Sequence, residues 1–189
     1  MNRIMIVGLI IVLILVVVIA LVGIITLDPA SYTATGIETL SPSGTSVGHA
    51  LVVYNPGFSG EAKSAAVKIA SDLKARGYEV ELAGVRSATA ANTSGYDIVI
   101  AGGPMYAGKV SSSVEAYLKA ITLQKDTKLG VFETTGSSQF NNNDIASFGK
   151  QVTSLLGNSP QNKNVVIRVI RAGDASNTDC ADLVSAMLR

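Results

Sequence analysis

Three short loops in this 189-residue sequence carry the residue types best suited to holding a ligand. The first is Asn55-Pro56-Gly57-Phe58-Ser59-Gly60, which opens onto a helical pattern. Glycines let the backbone fold closely around an anion, and the start of a helix offers free N–H groups and the positive end of its dipole. Ser59 adds a hydroxyl, which serves equally well as a helix N-cap. The second loop is Gly102-Gly103-Pro104-Met105-Tyr106-Ala107-Gly108-Lys109, where the ring of Tyr106 is placed either to lie against a flat ligand or to cover the end of a sheet. The third, Thr134-Thr135-Gly136-Ser137-Ser138-Gln139-Phe140, is longer than a strand-to-helix link needs.

Few other residues offer chemistry. Cys180 is the only cysteine, so an intrachain disulfide and a thiolate metal cluster are both excluded. It falls on an apolar helical face with Leu183, Val184, Met187 and Leu188, which suits a buried thiol. His49 is the only histidine and opens a strand, away from the three loops. Arg3 is the only charged residue before Asp28, so residues 28–189 carry 14 Lys and Arg against 14 Asp and Glu. With no basic stripe to neutralise phosphates, nucleic acid is not an expected partner.

The elements that must position these loops alternate between β-branched runs and helical periodicity, the pattern of a parallel α/β sheet. Strands are expected at 50–54, 78–83, 97–101, 128–133 and 165–170. Between the first two, Ala62, Ala65, Ala66, Ile69, Ala70 and Leu73 form one helical stripe. Further helices are marked by Val114, Tyr117, Leu118 and Ile121, by Ile145, Phe148, Val152, Leu155 and Leu156, and by the set around Cys180. The first and third strands are continuously apolar, as strands buried on both faces are, whereas 78–83 alternates and 165–170 contains Arg168. Placing those two at the edges, with right-handed crossovers, gives a doubly wound, three-layer, five-stranded sheet of order 2-1-3-4-5. Ligands in such sheets sit at the carboxyl ends of the strands, at the switch point between the first and third.

From about His49 onward, on the strength of Ile98-Val99-Ile100-Ala101 followed by Gly102 to Lys109 and the helix around Val114 and Leu118, the chain resembles the flavodoxin family. The resemblance implies FMN as a non-covalent cofactor and a role in electron transfer or an oxidoreductase reaction. It implies phosphate contacts from Asn55, Gly57, Phe58, Ser59 and Gly60, ring contacts from Pro104, Met105, Tyr106, Ala107 and Gly108, and ring or ribityl contacts from Thr134, Thr135 and Gly136. The first loop departs from the family pattern, in which several Ser or Thr hydroxyls meet the phosphate. This chain offers Ser59 alone, and Glu61 and Ala62 stand where Asn and Thr are expected. That departure keeps a second reading open, a flavodoxin-fold interaction or structural module without flavin.

Residues 4–27, from Ile4 to Leu27, hold no charge and no proline. As a helix they reach roughly 36 Å, enough to cross a hydrocarbon core of about 30 Å. A cleaved signal has a shorter apolar region and a small-x-small cleavage site, so an uncleaved single-pass membrane anchor is expected at 1–27. Arg3 before the span, and no Lys or Arg after it until Lys63, favour an inside N-terminus with the domain outside. Residues 28–48, rich in Ser, Thr, Gly and Pro, read as an extended or flexible spacer ahead of the domain at 49–189. A redox partner protein is expected, but no residue identifies it.

Overall fold

The computed structural model describes residues 3–136, 141–157, 164–173 and 175–189, so Phe140 and residues 137–139 of the third loop lie outside the described residues. In chain order the elements are α1 (Arg3–Leu27), β1 (Ile37–Leu40), β2 (Gly48–Tyr54), α2 (Glu61–Ala75), β3 (Tyr78–Gly84), β4 (Ile98–Tyr106), β5 (Lys109–Val110), α3 (Ser112–Ala120), β6 (Lys128–Thr135), α4 (Asn142–Leu156), β7 (Val166–Arg171) and α5 (Ala175–Met187).

The parallel strands lie in the order β3-β2-β4-β6-β7, the expected 2-1-3-4-5. Successive side chains along a strand point to opposite faces. In β2, Val52 joins Ile69, Leu73, Ile100, Phe132 and Leu183 beneath α2 and α5, while Leu51 and Val53 join Val99, Leu118, Val131, Phe148 and Val152 beneath α3 and α4. Both faces are dry, which is why the central strands read as unbroken apolar runs. Cys180 is buried in the first of these layers, its thiol 3.8 Å from the Ala65 carbonyl. The helix α4 starts where its N-cap dictates. The Asn141 side chain accepts from the Asn143 and Asp144 N–H groups, and Asp144 reaches back to the Asn141 N–H.

Two expectations are corrected at the edge beside β3. The strand over 78–84 alternates because its polar face is not deeply covered, yet it is not an edge: β1 pairs with it antiparallel, from Ile37 opposite Ala83 to Leu40 opposite Val80. The sheet therefore has more strands than the five parallel ones, with the β5 hairpin partner of β4 added at its carboxyl end. The stretch expected to be a flexible spacer is a strap instead. Pro29–Thr33 form a 3-10 turn, Asp28, Ser31 and Ala34 are buried, and the Arg86 N–H donates to the Ala34 carbonyl at 2.8 Å. Thr33 and Ser46 close turns with their hydroxyls, at 2.8 Å to the Ala30 carbonyl and 2.6 Å to the Gly48 carbonyl, while most of the other hydroxyls of this stretch stay exposed.

The strap passes so closely over the end of β3 that only glycine fits there. A Cβ on Gly84 would stand 2.3 Å from the Ala34 carbonyl carbon and oxygen, which are backbone and have no rotamer to yield. Gly84→Ala is expected to cost about 1–3 kcal/mol, the range for overpacking. The loss should be local, with hydrogen exchange accelerating in Ile37–Leu40 while the amides of β2 and β4 stay protected. Equal acceleration throughout the sheet would count against a strap held by that contact.

The helix α1 shares no core with the domain. Its side chains from Met5 to Val22 are exposed, and the segment Met5–Gly23 is long and apolar enough to cross a membrane.

Candidate functional site

Strand order alone places the three loops together. β2, β4 and β6 are adjacent and parallel, so 55–60, 102–109 and 134–136 all leave the same end of the sheet. The first two are in direct contact. Gly57, at φ 65°, lies so near Pro104 that a Cβ would meet its ring at 2.9 Å. The rings of Phe58 and Tyr106 stand 6.1 Å apart between centroids, tilted by 51°. Phe58 is 57% exposed, so one aromatic ring is offered to whatever approaches this end.

The second loop is more regular than its composition suggests. β4 continues to Tyr106, and Ala107 and Gly108, at φ 50° and 75°, turn it directly into β5. Two successive residues at positive φ are the signature of a tight two-residue hairpin whose twist matches its strands. Tyr106 is thus held by paired backbone. Its phenol pKa is raised, first by burial and then by the Asp28 carboxylate, and its buried oxygen has no hydrogen-bond partner among the described residues. Thr134 is buried opposite Pro104 in the ladder, Thr135 is half-buried, and Gly136 is exposed.

The first loop opens onto α2, whose N-cap is Gly60 rather than Ser59. The Ser59 hydroxyl accepts only a long 3.4 Å hydrogen bond from the Glu61 N–H, and both residues are exposed. Each of the three loops also contains a glycine over which a Cβ would meet nothing within 4 Å, namely Gly60, Gly108 and Gly136. Open space over backbone in all three loops, beside a helix N-terminus with unspent N–H groups, fits a bound anion with a flat ring system. Glu61, in the first turn of α2, carries a charge that opposes it.

Asn55 is fully buried and does not face that space. Its Nδ2 donates to Asp28 Oδ2 at 2.7 Å, to Ser113 Oγ at 2.9 Å and to Ser111 Oγ at 3.2 Å, while its Oδ1 accepts from the Gly57 N–H at 3.0 Å. Asp28 Oδ2 accepts further hydrogen bonds from Ser113 Oγ at 2.6 Å and the Ser113 N–H at 3.2 Å, at the start of α3. Favourable placement of a carboxylate at a helix N-terminus explains how the charge is tolerated there. The sequence marks Asp28 only as the stop after the apolar segment; nothing in its spacing tells that it is buried 27 residues before Asn55 and 85 before Ser113.

Glu133, in β6, is the second buried carboxyl at this end, opposite Gly103 in the ladder and 1% exposed. Neither of its oxygens has a hydrogen-bond partner among the described residues. Burial pushes its pKa up to about 8. Sequence reasoning misses it; a carboxyl directly after the apolar run 129–132 is the signal that would have marked it.

No protein-family model matches this sequence, and no curated protein sequence matches it. Solved structures do. Over 78% of this chain it superposes on a flavodiiron core from Synechocystis sp., at 17% identity and a TM-score of 0.53. Flavodoxin 2 from Bacillus cereus matches over 74% of this chain and 97% of its own, at 20% identity and a TM-score of 0.51. An NADH:FMN oxidoreductase in its apo form matches over 75% and 88%, at 11% identity and 0.51. The fold is flavodoxin-like. This flavodoxin-like chain spans 38% of the length of the flavodiiron core, so the likeness to that protein concerns one part of it.

Proposed function

We propose that this flavodoxin-like domain binds FMN at the carboxyl end of its sheet and transfers electrons there while tethered to a membrane by α1. The convergence of the first two loops carries the reading: Pro104 packs on Gly57, Tyr106 on Phe58, and the N-terminus of α2 lies immediately beyond. The backbone N–H groups of Glu61, Ala62 and Lys63, with the Ser59 hydroxyl, would hold the phosphate. Tyr106 and Phe58 would bound the ring, and the tight hairpin at Ala107 and Gly108, with Thr134, Thr135 and Gly136, would fix its edge. FMN when bound supplies one- and two-electron chemistry. The protein's part is to hold and orient the ring in a partly dry site. Tyr106, raised by burial and by Asp28, stays a neutral phenol at physiological pH. The length of α1 and its exposed apolar surface support the tether.

A second reading, a flavin-free interaction module, is favoured by two observations: Asn55 spends its amide on Asp28, and Glu61 occupies the first turn of α2. A visible absorption spectrum of the full-length protein in detergent, before and after incubation with FMN, separates the two. Uptake with a flavin band supports the first reading, and a colourless protein that takes up no FMN overturns it. Glu61→Gln sharpens the result. Removing a charge beside a dianion at a solvent-exposed site is worth on the order of 1 kcal/mol, so FMN is expected to bind roughly fivefold tighter. The same change gives up about 0.3–1 kcal/mol of helix-dipole stabilisation, so tighter binding comes with a slightly less stable protein.

A further inference from the structure

We propose that the carboxyl end of the sheet rests on the surface of the same membrane that α1 crosses, with Tyr32 and Phe58 in the lipid headgroup layer. The inference builds on the tether proposed above.

The first observation is the lack of slack between helix and domain. Leu27 ends α1, and the next residue, Asp28, is 1% exposed and bonded to Asn55 and Ser113. One peptide unit, about 3.8 Å, separates the helix from the switch point of the sheet. The uncharged apolar run continues to Leu27, so no polar stretch of helix lies between it and Asp28. A free spacer of some twenty residues would have let any face of the domain meet the bilayer, but the buried strap removes that freedom. The end of the sheet that holds Asp28 is the end the anchor delivers to the lipid.

The second observation is independent of the first. Among the described residues of the domain, two aromatic side chains are more than half exposed, Tyr32 at 64% and Phe58 at 57%, and both are at this end. Tyrosine, with an apolar ring and a wet hydroxyl, populates the membrane interface, and an exposed phenylalanine adds apolar area that can enter it. Arg86, exposed on the loop after β3, lies with its guanidinium 4.7 Å from the Tyr32 ring centroid, which places a cation where anionic headgroups would be. The candidate site, bounded by Phe58, then opens toward the headgroups.

Single cysteines at Tyr32, Phe58, Asp126 and Val12 in the full-length protein, each spin-labelled and placed in lipid vesicles, test this. Cys180 is buried and stays in place, and the unsubstituted protein measures any background from it. Asp126 lies before β6, at the opposite end of the sheet, and Val12 lies within α1. Relaxation by oxygen, which concentrates in lipid, is compared with relaxation by a water-soluble nickel chelate. The expected result is an oxygen-to-nickel ratio several-fold higher at 32 and 58 than at 126, with 12 higher still. A lipid-like value at 12 with 32 and 58 equal to 126 overturns the docking and leaves the tether standing. Loss of accessibility to both reagents at 32 and 58, the mark of burial against protein, also overturns it. A water-like value at 12 sinks the tether and the docking together.

Discussion

Glu133→Gln is expected to abolish a loss of stability that the native domain suffers between about pH 4.5 and pH 8. In the folded protein burial holds the Glu133 proton up to about pH 8, whereas the unfolded chain releases it near 4.5. Below both values the two states bind the proton alike and the residue contributes nothing to the pH dependence. As the pH rises through this window the folded state binds more protons than the unfolded one, so stability falls, and above 8 the loss levels out. A difference of this size corresponds to on the order of 4 kcal/mol. Glutamine cannot titrate, but it brings an NH2 group into a place that has no acceptor among the described residues, which costs about 1–3 kcal/mol at any pH. The variant should be less stable than the native protein at pH 4.5 and more stable at pH 8.5. Urea denaturation in detergent at a series of pH values measures this, and parallel curves for the two proteins would refute the assignment.

Asp28→Ala is expected to cost about 2–4 kcal/mol and to free the strap. The substitution leaves the Ser113 N–H without its acceptor and takes from Asn55 Nδ2 its shortest bond, in a place with 0–1% exposure. It also puts an alanine at φ 44°, a conformation that aspartate tolerates better because its short polar side chain bonds locally. Asp28→Asn, which keeps the shape, the backbone preference and one acceptor, should lose less than half as much. It also removes the charge that helps raise Tyr106, so the phenol should titrate lower in a difference ultraviolet titration. Limited proteolysis between Leu27 and β1 reads the strap directly. A resistant Asp28→Ala protein of native stability would show that the cluster does not hold it.

These two carboxyls mark where sequence reading reaches its limit. The parallel strands, their order and the loops they gather were legible because dry strands must be apolar on both faces, as Leu51 to Val53 and Ile98 to Ile100 are. The Tyr78 strand was misplaced by the same rule, since alternation is also what a covered strand shows when its neighbour, Ile37–Leu40, is only four residues long and largely exposed. Asp28, Ser111 and Ser113 are invisible as a group because their meeting depends on tertiary closure over 85 residues. The stretch after Leu27 has the composition of a linker, and composition cannot distinguish hydroxyls that face water from hydroxyls that close turns. Of the residues implied by the flavodoxin resemblance, Asn55 is turned inward to Asp28, whereas Phe58, Ser59, Gly60 and the Pro104 to Gly108 hairpin border the open end.

The link from Asp28 to Ser113 also sets an order of events in folding. The residues from Asp28 to Ala34 leave the ribosome before any strand of the sheet, yet Asn55, Arg86 and Ser113, which fix them, follow β2, follow β3 and open α3, the last of them 85 residues later. Closing so long a loop is entropically unfavourable until the intervening strands have paired. The stretch from Asp28 to Ala34 is therefore expected to stay slack until the strands between its partners have paired, so the short link between α1 and the domain tightens only after β2, β3 and β4 are in place.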